Sequence, residues 1–112
     1  MDFNNYQRMA ISTAVYPKDK KDAITYTAFG LVSEAGEVCG KLKKVIRDGQ
    51  GLDSMTDEEI EATVKELGDT LWYCATLAEE LGFSLSYIAA QNITKLSARQ
   101  KAGTIGGSGD DR

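Results

Sequence analysis

Two short acidic signatures, Glu34-Ala35-Gly36-Glu37 and Glu66-Leu67-Gly68-Asp69, carry the residue types most able to do chemistry in this chain. Each places two carboxylates at i and i+3, on one face of a helix. Four carboxylates brought together repel one another unless a cation sits among them. Ligand sets made only of oxygen suit Mg²⁺, with Mn²⁺ as a substitute. Histidine is absent from the sequence. That removes imidazole acid–base chemistry, most zinc sites and the Glu-x-x-His pattern of di-iron bundles. Lys41 and Lys44 continue the same helical edge, so salt bridges offer a structural account of part of the acidic pattern.

Positioning these groups requires long helices. The only proline is Pro17, and apolar residues recur at helical spacing nearly everywhere else. The pattern predicts an all-α chain with four helices, at about 2–15, 22–47, 57–81 and 84–101. Thr56 to Glu59 reads as a capping box, and Ser84 as the cap of the last helix. Ile24, Ala28, Leu31, Ala35, Val38, Leu42 and Val45 form one heptad seam, and Ile60, Val64, Leu67, Leu71, Cys74, Ala78 and Leu81 another. Seams of this kind favour two long, antiparallel central helices. At roughly 1.5 Å of rise per residue, Glu37 is then level with Glu66, and Glu34 with Asp69, on matching flanks. Gly36 and Gly68 each cost roughly 1 kcal/mol against alanine in a helix interior. Close approach of another helix or subunit is the expected reason.

The chain has 112 residues and a formal net charge of −4, with 13 basic and 17 acidic residues. A nucleic-acid partner is not expected at that balance. No leader-like stretch or apolar run of membrane length is evident, so no membrane partner and a cytoplasmic location are expected. Cys39 and Cys74 read as reduced core thiols. Residues 1–102 read as one domain, and the glycine-rich 103–112 as a tail that is flexible or orders over bound substrate.

Gly30 to Val38, followed by Lys65 to Tyr73, resembles the MazG-type, all-α nucleoside triphosphate pyrophosphohydrolases, marked by E-x-x-E, a spacer and E-x-x-D on adjacent helices. The resemblance covers roughly residues 3–105. It implies a MazG-like helical fold assembling as a dimer or dimer of dimers, Mg²⁺ dependence, and cleavage of a nucleoside triphosphate to the monophosphate and pyrophosphate. Glu34, Glu37, Glu66 and Asp69 match the metal-binding carboxylates. Glu37, Glu34 or Glu66 would then orient or deprotonate the attacking water. Asn92, Lys95 and Arg99 look like the family's N-x-x-K-x-x-x-R segment on the last helix. They form one polar stripe in which arginine and lysine can meet phosphate oxygens. The ending Gly103 to Arg112 is similar to endings in small MazG-like proteins, and brings Arg112 in as a candidate for substrate contact.

Further substrate candidates are Tyr73, on the acidic flank, the Tyr6-Gln7 pair near the start, and Lys41 beside the carboxylates. A different function class is also open: a helical dimer that binds nucleotide or a partner helix without turnover.

Overall fold

The computed structural model describes all 112 residues, Met1–Arg112. Four α-helices follow one another: α1 (Phe3–Ser12), α2 (Lys20–Arg47), α3 (Asp57–Glu80) and α4 (Leu85–Ala102). A short 3₁₀ turn at Leu52–Ser54 lies between α2 and α3. Local chemistry sets most boundaries. The Asp2 carboxylate accepts from Asn5 N–H at 2.8 Å and starts α1. Asp19 caps α2. Thr56 and Glu59 exchange side-chain and backbone bonds at 3.1 and 2.9 Å, completing the capping box of α3. Ser84 accepts from Tyr87 N–H at 3.0 Å. The first helix ends three residues earlier than its sequence pattern suggested. There the Thr13 hydroxyl turns back to the Ala10 carbonyl and receives the Trp72 indole N–H at 2.9 Å.

The two long helices form the antiparallel pair, and their contact takes in the predicted α2 seam but not the predicted α3 seam. From α2, Ile24, Ala28, Leu31, Val38 and Leu42 of the seam are half-buried and Val45 is buried, and Ala23, Thr27, Gly30, Glu34 and Lys41 beside them are covered as well. Gly30 lies under the Tyr73 ring and Lys41 reaches Glu66, which fixes the register. The flank that carries the carboxylates therefore faces the partner helix. The seam of α3 is instead covered by α1, and only in part. Ala10, Ala75 and Leu85 make the core, with Tyr6, Leu71, Trp72 and Cys74 packed against it. Ile60, Val64 and Leu67, beyond the reach of the ten-residue α1, stay 47%, 49% and 53% exposed.

Gln7 ties this arrangement together. Its buried amide donates to the carbonyls of Ala75 (3.4 Å) and Phe83 (3.1 Å) and to Glu79 (3.1 Å), and accepts from Leu85 N–H at 2.8 Å. It joins α1 to the end of α3 and the start of α4. α4 does not touch α2. The molecule measures 44 × 44 × 27 Å. The 28-residue α2 accounts for one long axis, so the second requires elements projecting sideways from the α2–α3 pair.

The chain is expanded for its size. Its radius of gyration is 17.0 Å, where a compact domain of this length has about 13 Å. Its accessible surface is 7713 Å², against about 6,060 Å² for a folded monomer of this mass. No helix is long and apolar enough to cross a membrane.

Candidate metal centre

Tyr26, Gly30 and Glu34 follow one another at i, i+4 and i+8, so they form one stripe on the α3-facing side of α2. From α3, Glu66, Asp69 and Tyr73 come to meet them. Carboxylate oxygens of Glu34, Glu66 and Asp69 all lie within 4.8 Å of one another. The cation nearest them is Lys41, whose Nζ is 3.7 Å from Glu66 Oε1. With 36% of its side chain exposed, Lys41 offsets only part of the negative charge.

The crowding of charge shows in acidity. Glu34 holds its proton to a higher pH than an ordinary glutamate. Burial is the first cause, followed by the negative charges of Asp69, Glu66 and Glu37 and by a carboxyl hydrogen bond to Glu66. Three hard oxygen donors with too little positive charge among them fit a small divalent cation such as Mg²⁺ or Mn²⁺. Glu37 is placed differently. It is exposed and outside the close set, one of its carboxylate oxygens lying about 4.0 Å from where a Cβ on Gly40 would be. The structure thus gathers three of the four predicted carboxylates, with the fourth one helical turn away on α2.

An aromatic cluster adjoins them. Tyr26 stacks on Tyr16 with ring centroids 5.7 Å apart and reaches Tyr73 at 6.3 Å, while Trp72 meets Tyr73 edge-on at 4.9 Å. Burial raises the Tyr73 hydroxyl above its ordinary acidity range first. Tyr26 beside it and the charges of Glu34 and Asp69 raise it further. Tyr16 is pushed up to about 12 by burial and by its bond to Glu80 at 3.0 Å. Tyr6 on α1, packed against the core with Leu71 and Cys74, is raised by burial and then by the Asp69 charge. Sequence reasoning had singled out neither Tyr26 nor Gly30. Their spacing to Glu34 was the available signal.

Other candidates lie elsewhere. The Gln7 amide makes four bonds to the α3–α4 junction. Asn92 and Lys95 border an open groove beside Leu81, Phe83, Tyr87 and Ile88. Arg99 is buried and held by the chain's own last residues. Arg112 is committed to the carbonyls of Thr104 (3.0 Å), Ile105 (3.1 Å) and Gly109, not to the acidic cluster. Cys39, next to the α2 seam rather than on it, is exposed and not a core thiol, whereas Cys74 is half-buried and its thiol is raised by that burial. No side chain and no other element comes within 4 Å of a Cβ built on Gly36 or Gly68, so helix packing within the chain does not explain those glycines.

Residues 23–104 match the family described as the MazG nucleotide pyrophosphohydrolase domain. The chain is also 41% identical, over 116 aligned positions, to the Gene 37 protein of Mycobacterium phage L5, with both chains covered in full. No solved structure matches it.

Proposed function

The chain belongs to the MazG nucleotide pyrophosphohydrolase family, and from that premise we propose that it hydrolyses a nucleoside triphosphate to the monophosphate and pyrophosphate with a divalent cation, Mg²⁺ or Mn²⁺. The observation that carries this reading is the convergence of Glu34, Glu66 and Asp69 oxygens within 4.8 Å, with Lys41 as their only close counter-charge. These three side chains would hold the ion, and Glu37 would complete the set or stay free. A bound ion supplies charge neutralisation for the triphosphate.

The chain's own groups do the rest. Glu37, outside the close set, is the carboxylate best free to orient a water towards the α-phosphorus and take its proton. Tyr73 and Tyr26 offer ring faces beside the carboxylates for a base. Lys95 and Arg99 stand on α4, away from this cluster within one chain, and would offset charge on the departing pyrophosphate from a second copy in an assembly. Asn92, on the same stripe, would hydrogen-bond phosphate or sugar. A housekeeping role in the cytoplasmic nucleotide pool accords with such chemistry.

Assembly belongs to the same reading. The surface excess of about 1,650 Å² is twice the roughly 800 Å² that each partner gives to a standard interface. A homodimer or homotetramer would cover Ile60, Val64 and Leu67, along with Phe29 and Val32 of α2, which are 72% and 73% exposed. It would also give the bare Gly36 and Gly68 backbones something to touch.

The test is a panel of ribo- and deoxyribonucleoside triphosphates incubated with and without Mg²⁺, the products separated by chromatography. Monophosphate and pyrophosphate formed only with metal are expected. Mg²⁺-dependent binding without turnover would favour a non-catalytic nucleotide-binding dimer instead.

A further inference from the structure

The last ten residues do not trail away from α4. Gly103 ends the helix at φ +72°, and Thr104 N–H returns to the Arg99 carbonyl at 2.9 Å. Gly109, at φ +82°, turns the chain again and brings Asp110 back over α4. Lys95 Nζ then lies 3.0 Å from Asp110 Oδ1, and Arg99 Nη2 lies 3.2 Å from that same oxygen. Arg99 Nη2 also donates to the carbonyls of Gly109 (3.2 Å) and Asp110 (2.8 Å). Arg112 fastens the turn from the other side through the carbonyls of Thr104, Ile105 and Gly109.

The two halves of this contact are unequal. Arg99 is only 6% exposed, and its Nε has no acceptor despite being buried. Its anionic partner is 80% exposed. A buried and incompletely satisfied guanidinium is thus neutralised by a carboxylate standing mostly in water. One carboxylate oxygen receives both cations, where a phosphate group would offer three acceptor oxygens and a larger charge.

We propose that Asp110 is an internal stand-in for a phosphate group, and that Gly103–Arg112 is a latch which a polyphosphate opens by taking Lys95 and Arg99 from it. The proposal rests on the reading of Lys95 and Arg99 as phosphate-binding residues under the proposed function. Latched chains cannot offer both cations to a ligand, so the apparent affinity falls by the fraction that is latched. The Asp110 carboxyl is held below the usual carboxylate range, by its bond to Lys95 first and then by Arg99, so the competitor is fully charged at neutral pH. Because Asp110 is exposed, the competition is modest. Exposed ion pairs of this kind shift an equilibrium by about two- to fivefold.

The test uses the full chain with inorganic pyrophosphate and no divalent metal, so that neither the acidic cluster nor turnover enters. Backbone amide resonances of Gly106, Gly107 and Gly109 report the latch, and a sulfate titration at matched ionic strength controls for salt. In the natural sequence, pyrophosphate should shift and sharpen these resonances saturably. Asp110→Ala should have them sharp from the outset and bind pyrophosphate about two- to fivefold more tightly. Lys95→Ala should lose most of the response. Weaker pyrophosphate binding by Asp110→Ala would overturn the latch, because the tail would then be closing over the anion. An unchanged midpoint would overturn it too, reducing Asp110 to a tie for the chain end. A protein that hydrolyses nucleotides but fails these titrations loses the latch alone. One that passes them without hydrolysis keeps the latch and loses the enzymatic reading.

Discussion

Replacing Gly30 by alanine sets two effects of known size against each other. Alanine in a helix interior is favoured over glycine by about 1 kcal/mol. At this position, however, the added methyl would fall inside the Tyr73 ring. The ring cannot simply swing aside, because Trp72 meets it edge-on at 4.9 Å and Tyr26 closes it at 6.3 Å. Overpacking of this kind costs about 1–3 kcal/mol, and breaking either aromatic pair adds about 0.5–1.5 kcal/mol. The net expectation is a loss of about 0.5–3.5 kcal/mol, or a fall of roughly 2–15 °C in melting temperature for a chain of this length. Thermal unfolding at fixed protein concentration measures it, with Trp72 fluorescence reporting the displaced neighbour. The sign should invert in a Tyr73→Ala background, where the same Gly30→Ala change meets no ring and gains up to about 1 kcal/mol. A Gly30→Ala protein as stable as the parent, with an unchanged tryptophan spectrum, would refute this packing of α2 against α3.

Three other outcomes follow from the same structure. Val64→Lys or Ile60→Lys, each on the uncovered part of the α3 stripe, should shift the protein towards monomer in light scattering while leaving helix content unchanged. Gln7→Ala strands the buried Leu85 N–H and removes the donor to the buried Ala75 carbonyl and the half-buried Phe83 carbonyl, so it should cost about 2–4 kcal/mol in denaturant unfolding. Glu34 gives a pH dependence. Its folded-state value is raised above the ordinary 4.5, so the folded chain binds more protons in the window just above that value. Metal-free stability from this group is therefore greatest below the window and is lost as pH rises through it. Saturating Mg²⁺ should remove that loss, read as an increase in melting temperature that is larger at neutral than at acidic pH.

The helices were legible because their signals are local: a cap three residues from its partner, as with Thr56 and Glu59, or a serine that starts a helix, as Ser84 starts α4. The level pairing of Glu34 with Asp69 was legible too, since helical rise and a single turn fix heights. The rotation of α3 against α2 was not. It depends on a glycine lying under a tyrosine 43 positions away and on α1 being too short to cover the whole α3 stripe. The structural role of Gln7 is hidden for a related reason. An isolated amide near a chain start gives no hint that four groups around the α3–α4 junction converge on it. The tail was read as flexible or ordered by substrate, while the fold supplies Lys95 and Arg99 as internal partners for Asp110. Such a contact leaves no periodic trace in the sequence.

If Glu34, Glu66 and Asp69 hold a divalent ion for attack of water on the α-phosphorus, the oxygen of that water must end in the monophosphate. Hydrolysis of a nucleoside triphosphate in ¹⁸O-labelled water, followed by mass spectrometry of both products, tests this most directly. The label is expected in the monophosphate and not in pyrophosphate, only when Mg²⁺ or Mn²⁺ is present, with no turnover by Glu66→Gln. Label in the pyrophosphate, or turnover that survives both metal removal and Glu66→Gln, would contradict it.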